Sequence, residues 1–334
     1  MFILITTGIY PPKIGGPSQY AKNLKEVFEK RGVKVILKTY TLEDYLPTGI
    51  RHLVFFFKII IPVILSDFII TLDTFSAGLP TVLAAKIFRK KVLLRTGGDF
   101  LWEQYTERTR KKVLLKNFYK EEILNLSLKE KIVFKFTKWV FKNVSALIFS
   151  TLWQRDIFLK PYEIDLKKTF IIENYYGPKQ SDLPFDSYEF IGSSRPLVLK
   201  NLDILKKVFE EIKKDFLDVK LTLDSYPYEE FIKKISKCYA VILISLGDIS
   251  PNLILEAIRF NRPFILTEET GLYDRLKDIG IFVNPLDERE IKEAVLKLLD
   301  EKNYKTAKEK ILNFNFIHTW DDIAGEFLDI FKKI

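Results

Sequence analysis

Ile244-Ser-Leu-Gly-Asp248-Ile-Ser250-Pro251-Asn252-Leu-Ile-Leu-Glu256-Ala-Ile258 is the stretch on which the reading of this chain turns. The apolar run Ala240–Ser245 fits a buried strand, and the apolar residues after Pro251 recur at helical spacing. Between them, Ser250 is placed as the N-cap and Pro251 as the first helical residue. The first turn of such a helix presents N–H groups that have no intrahelical acceptor and suit phosphate oxygens or sugar hydroxyls. Glu256 stands among apolar neighbours, four residues after Asn252 and on the same face. Charged side chains are seldom buried in that way without a partner, and a carboxylate there can accept two hydrogen bonds from a ribose diol.

Outward from this stretch, short apolar runs alternate with amphipathic ones, the pattern of βαβ units around a parallel sheet. Strands are predicted at Phe2–Thr6, Lys34–Lys38, Asp67–Leu72, Lys91–Arg95, Ala146–Ser150 and Phe170–Ile172 in the first half. Further strands are predicted at Lys220–Leu223, Ala240–Ser245, Pro263–Thr267 and Gly280–Val283. Helices fit between them, notably Gln19–Arg31, Lys129–Asn143, Asn201–Lys214 and Tyr228–Lys237. Two such sets imply two doubly wound domains, with turn residues concentrated in Glu173–Leu197 marking the boundary. A terminal amphipathic helix is predicted from about Asp321 to Ile334.

The bulk composition agrees. At 334 residues the chain exceeds one ordinary core, and 28 Phe with 15 Tyr supply apolar material for two. Lys and Arg outnumber acids by 53 to 44, a formal charge of +9 that suits an anionic ligand or surface. Cys238 is the only cysteine, so an internal disulfide is impossible and a reducing, cytoplasmic compartment fits. His52 and His318 are the only histidines, which leaves no material for a His/Cys zinc site. The lysines are scattered and match no nucleic-acid-binding module. The apolar run Leu53–Leu65 is too short to span a bilayer and reads as a helix packed in the core or lying at an interface.

Three other places carry chemistry. Gly15-Gly16 sits between the first strand and the first helix, where paired glycines let backbone amides approach a phosphate. Arg195 and Lys200 stand five positions apart before a helix, a fork and a point charge that together can hold a diphosphate and stabilise it as it departs. Gly98-Asp99-Phe-Leu-Trp102-Glu103 follows a strand, and Asp99 there is either a turn former or an acid–base group.

Taken in order, these residues resemble the retaining glycosyltransferases of family 4. That family is marked by an acid, seven residues and then Glu; here the positions are Asp248 and Glu256-Ala257, followed by Asn261-Arg262-Pro263. Gly15-Gly16, Arg195 with Lys200, and Ile171-Ile-Glu-Asn174 resemble the family's other segments, so the likeness runs through nearly the whole chain. It implies the GT-B architecture, two Rossmann-like domains facing each other across a cleft. The first would be residues 1–175, acceptor-side, with helix 320–334 packing back on it; the second, 176–319, would bind the donor.

The resemblance also implies roles. Gly15, Gly16, Arg195 and Lys200 would contact the donor diphosphate, with Ser250, Pro251 and the amides of Asn252 and Leu253 assisting. Asp248 would meet hydroxyls of the transferred sugar and Glu256 the ribose. Catalysis would fall to Arg195, Lys200 and Asp248, with Asp99 standing where the family often carries a histidine. Asp248 is one methylene shorter than the family's usual Glu. No cofactor and no metal is expected, since no Asp-x-Asp pair stands at a strand end.

The expected partners are a nucleotide-sugar donor and a glycan or lipid-linked acceptor, with no nucleic acid. Lys129–Lys142 reads either as a basic aromatic helix at an anionic membrane face or as one packed on the sheet. Two other readings stay open: a non-catalytic GT-B partner subunit, and an epimerase or hydrolase of nucleotide sugars.

Overall fold

The computed structural model describes residues 1–13 and 16–334. The chain forms two compact units, Met1–Leu101 with Asn125–Asn174 and His318–Ile334, and Trp102–Leu124 with Tyr175–Ile317.

The first unit opens with β1 (Phe2–Thr7), α1 (Gly16–Lys30), β2 (Lys34–Thr39), α2 (Ile50–Leu65), β3 (Phe68–Thr71), α3 (Gly78–Ile87) and β4 (Lys91–Thr96). Then come α4 (Phe100–Thr109) and α5 (Leu115–Glu121), which belong almost wholly to the second unit. The first unit resumes with α6 (Leu128–Asn143), β5 (Ala146–Phe149), α7 (Leu152–Tyr162) and β6 (Thr169–Ile171). Its sheet is parallel, in the order β2-β1-β3-β4-β5-β6, with Leu4 opposite both Ile36 and Ile69. Residues Ile3–Ile5 and Phe68–Ile70 have no exposed surface, as strands covered on both faces require.

The second unit continues with β7 (Glu189–Ile191), α8 (Leu202–Ile212), β8 (Lys220–Thr222), α9 (Tyr228–Lys237), β9 (Ala240–Leu243), α10 (Asn252–Arg259) and β10 (Phe264–Thr267). It closes with α11 (Tyr273–Leu276), β11 (Ile281–Val283), α12 (Glu288–Leu299) and α13 (Glu301–Leu312). Its sheet is parallel in the order β11-β10-β9-β7-β8, with Phe190 beside Leu221 on one side and Ala240 on the other. The last helix, α14 (Trp320–Lys333), lies in the first unit against α1. Trp320 meets Tyr20 edge-on at 5.0 Å, Phe331 stacks on Phe68, and Arg31 pairs with Asp321 at 2.6 Å.

Three differences from the sequence reading have physical causes. Strand β7 was not foreseen: its three residues are too few to show a period, and they sit in turn-rich sequence. Trp102–Leu124, assigned by sequence to the first half, packs with the second unit, where the Leu115 amide donates to the Leu246 carbonyl at 3.1 Å. Helix α10 begins at Asn252 as read, but its cap is not the expected Ser250. Pro251 is its N-cap in an extended conformation (φ −71°, ψ 113°), so Ser250 lies outside the helix and Asn252 is its first residue.

Gly15 lies outside the described residues, whereas Gly16 is the exposed first residue of α1. Among the described residues no helix is long and apolar enough to cross a membrane.

Candidate functional site

In the second sheet the chain runs from β7 to its neighbour β8 and then crosses to β9 on the other side. The order therefore reverses between β7 and β9, and ligands of doubly wound sheets bind beyond the strand ends at such a point. Arg195 and Lys200 follow β7, and Asp248 follows β9.

The two loops are stitched together. The Leu246 amide donates to the Leu199 carbonyl at 2.8 Å, and Asn201 ties the Lys200 loop to the segment after β11 by donating through Nδ2 to the Pro285 carbonyl at 2.6 Å. Asn201 is buried at φ +56°, a left-handed conformation that Asn tolerates better than most residues, and it turns the chain from the Lys200 loop into α8. The Asp248 loop is held from the other side, its amide donating to the Glu269 carbonyl and its carbonyl accepting from Gly271.

Across this point Lys200 Nζ donates to both Asp248 carboxylate oxygens, at 2.9 and 3.0 Å. The side chains are only 12% and 14% exposed, so the pair is well shielded yet reachable. Arg195 is open to solvent at 63%, with Nη2 3.8 Å from Glu103.

Glu103 is the residue sequence reading missed. It appears in the quoted Gly-Asp-Phe-Leu-Trp-Glu stretch, but nothing in that stretch points to this neighbourhood. Its α4 is brought there by contacts within the second unit: Glu107 accepts from the Val198 amide at 2.6 Å, and Lys112 pairs with Asp203 at 2.6 Å. The Gly247 position lets α5 come close, since a Cβ there would lie 2.6 Å from Leu115 Cβ. Burial pushes the Glu103 carboxyl above the usual carboxylate range; the nearby Arg195 and Lys200 charges pull it down, and Asp248 pushes it up. The arrangement can take an anionic group between Arg195 and Lys200, with two carboxylates modulating its charge.

Glu256 does face the same way as Asn252 along α10, but its burial is answered from inside the protein. Tyr228 donates to Oε1 at 3.2 Å and Arg259 to Oε2 at 3.4 Å. Burial raises the Glu256 carboxyl's proton affinity, with Arg259 and the Tyr228 hydroxyl opposing. Glu269, whose carbonyl accepts from the Asp248 amide, has a buried carboxylate that pairs with Lys116 of α5.

Asp99 belongs to the first unit, immediately before α4. It is 4% exposed and lines a small cavity with Thr74, Thr137, Phe141, Phe158 and Tyr162, so its surroundings are α6 and α7. His52 and His318 occupy structural positions, His52 edge-on to Phe75 at 4.9 Å and His318 3.0 Å from the Asn174 carbonyl. Among the described residues no group of three or more His, Cys, Asp and Glu is placed to hold a metal ion.

No protein-family model and no curated protein matches the sequence. Solved structures do match the fold. Sucrose-phosphate synthase from Thermosynechococcus elongatus superposes with a TM-score of 0.73 at 13% identity, over 99% of this chain and 98% of that one. Anabaena Alr3699/HepE, solved in complex with UDP, gives 0.67 at 12% identity over the whole of both chains. The UDP-GlcNAc 2-epimerase of Methanocaldococcus jannaschii, in complex with UDP-GlcNAc and UDP, gives 0.57 at 13% identity, again over both chains in full. At such identities the likeness concerns the fold, and that fold is the pair of Rossmann-like domains found in GT-B proteins.

Proposed function

We propose that the chain is a glycosyltransferase moving a sugar from a nucleoside-diphosphate sugar to a hydroxyl acceptor, with retention and without a bound metal. The observation that supports this best is the Lys200–Asp248 pair at the β7/β9 crevice, with Arg195 beside it. In this reading the diphosphate takes the place of Asp248 on Lys200 and draws in Arg195, and both cations stabilise it as it leaves. Asp248, released, meets hydroxyls of the transferred sugar.

The first turn of α10, at Asn252 and Leu253, supplies amides, with Ser250 and Pro251 shaping its entrance. Glu256 receives the ribose in exchange for Tyr228 or Arg259, and Gly15 and Gly16 are retained as candidates for the donor's phosphates. The second unit is thus the donor side and the first the acceptor side. The acceptor is a glycan or lipid-linked saccharide, presented at an anionic membrane surface. Asp99 is the acceptor-side carboxylate; because it is buried, local opening must precede any proton transfer to it. HepE's complexes with UDP and UDP-glucose make uridine donors the first to try.

The test is release of UDP from a panel of UDP-sugars, with and without saccharide acceptors, using Lys200→Ala, Glu256→Ala and Asp99→Asn. Expected are transfer that survives EDTA, a product with the donor's anomeric configuration, and loss of turnover in the first two variants. Turnover indifferent to both would overturn the site, and no turnover with any nucleotide sugar would leave the partner-subunit reading. Free sugar or an isomer formed without acceptor would favour the hydrolase or epimerase reading, which the M. jannaschii neighbour keeps in view.

A further inference from the structure

Helix α2 is apolar on both sides. Phe55, Ile59, Pro62 and Val63 are buried against the rest of the first unit, as an amphipathic helix requires. The opposite side carries Leu53, Phe57, Ile61, Ile64 and Leu65, all exposed, with Phe57 at 63% and Ile61 at 69%. Leu53, Phe57, Ile61 and Leu65 recur every four residues, with Ile64 three after Ile61, which makes one stripe along the helix. Water gains nothing from five large side chains in a row, and contiguous patches of this kind mark surfaces that meet something.

The stripe is continued by the neighbours. α2 packs on α3 and α3 on α6, where Leu83, Ile87, Ile132 and Phe136 are also exposed. The charge carried by these three helices is almost all positive. α6 carries five lysines, α3 carries Lys86 and α2 carries Arg51 and Lys58, whereas the only acid in the three helices is Glu130, buried in the α6 capping box. Acids on adjoining segments are engaged: Glu43 with Lys58, Glu163 with Lys138, and Asp67 with the Phe2 amide. Lys86 Nζ stands 5.5 Å from the Trp139 ring, an amphipathic pair of the type found where apolar and wet surroundings meet.

We propose that the outer face of α2, α3 and α6 docks on an anionic phospholipid bilayer, with the α2 stripe entering the acyl boundary and the α6 lysines on the headgroups. A second copy of this chain fits less well, because a twofold contact would bring lysine-rich surfaces face to face. An anionic bilayer satisfies the apolar stripe and the cations together. The inference deepens the membrane contact named with the acceptor above and rests on that part of the reading. It moves the anchor from α6 alone, which buries Val133, Val140 and Phe141, to α2 with α6 as its rim.

The experiment is flotation of the full chain with vesicles of phosphatidylcholine alone or mixed with phosphatidylglycerol, at low and high salt. Expected is flotation only with phosphatidylglycerol, weakened by salt, and lost in Phe57→Asp/Ile61→Asp. Lys131→Gln/Lys135→Gln should weaken it by about fivefold per lysine, and these exposed positions leave folding intact. Absence of flotation with anionic vesicles overturns the proposal, as does flotation unchanged by either double variant. A dimer in sedimentation velocity that Phe57→Asp/Ile61→Asp dissolves, with no vesicle binding, would assign the face to a second copy. UDP-induced thermal shift, followed in parallel, reads the donor site alone, so its failure would leave the flotation result standing.

Discussion

Replacing Glu103 by glutamine removes a negative charge beside Arg195, Lys200 and Asp248 while keeping the side chain's shape. Arg195 and Glu103 are 3.8 Å apart, where two unit charges interact by about 4 kcal/mol at an effective dielectric of about 20. Arg195 is 63% exposed, and solvent reduces that to about 1 kcal/mol. An incoming diphosphate competes with Glu103 for Arg195 and is repelled by the same charge. Glu103→Gln should therefore bind UDP about fivefold more tightly at pH 8.

The pH dependence has a definite sign. Burial raises the Glu103 carboxyl's proton affinity, and a bound diphosphate raises it further, so binding takes up a proton. The wild type should weaken relative to Glu103→Gln as pH rises through the Glu103 range, and the two should converge as pH falls below it. The same raised proton affinity makes Glu103's contribution to folding stability greatest at low pH and lost as pH rises through its folded value. Calorimetric titration of both proteins from pH 5 to 8 checks this, because UDP's own ionisation cancels in the ratio. Weaker binding by Glu103→Gln at every pH would refute the reasoning and make Glu103 a support that holds Arg195 in place.

Three further outcomes follow from the same geometry. Lys200→Met leaves Asp248 without its cation in a shielded site and should cost about 2–3 kcal/mol in denaturant unfolding; Lys200→Met/Asp248→Leu should recover most of this but restore no turnover. Gly247→Val drives a side chain into Leu115 and should cost about 1–3 kcal/mol, with proteolysis appearing within Trp102–Leu124 before the rest of the chain is cut. Lys179 donates to the Ile258 and Ile311 carbonyls, and burial pushes its ammonium down to about 8. The unfolded chain then holds more protons above that value, so wild-type stability should gain about 1–2 kcal/mol between pH 8 and 10 relative to Lys179→Met.

Apart from β7, the strands of both sheets were legible because buried parallel strands are continuous apolar runs, and Ala240–Leu243 and Phe68–Ile70 could hardly read otherwise. Lys200 and Asp248 were legible as candidates through spacing and resemblance, but their mutual ion pair was not, because it depends on β7 and β9 being neighbours. Glu256 was legible as a charge set among apolar neighbours, and the ribose was its expected partner. That Tyr228 and Arg259 would pair with it was not readable, since Tyr228 lies on another helix. Glu103 shows the limit most clearly: local sequence shows its helix, but only tertiary packing shows that the helix belongs with Arg195. The α2 stripe was visible as an apolar run, and choosing its exposed side required knowing which face the sheet covers.

The chain passes between its two units after Leu101, Leu124, Asn174 and Ile317, and this order has a consequence for synthesis. As the polypeptide leaves the ribosome, α4 and α5 emerge long before β7 and β9, the strands whose loops they join. The first unit in turn stays unfinished, with the α1 surface bare, until α14, which follows the last segment of the second unit, has emerged. The second unit is therefore complete once Ile317 has emerged, and the first cannot mature ahead of it. A gene cut at the apparent boundary near residue 175 would yield two fragments that each lack a piece of themselves, so the halves should gain stability together or not at all.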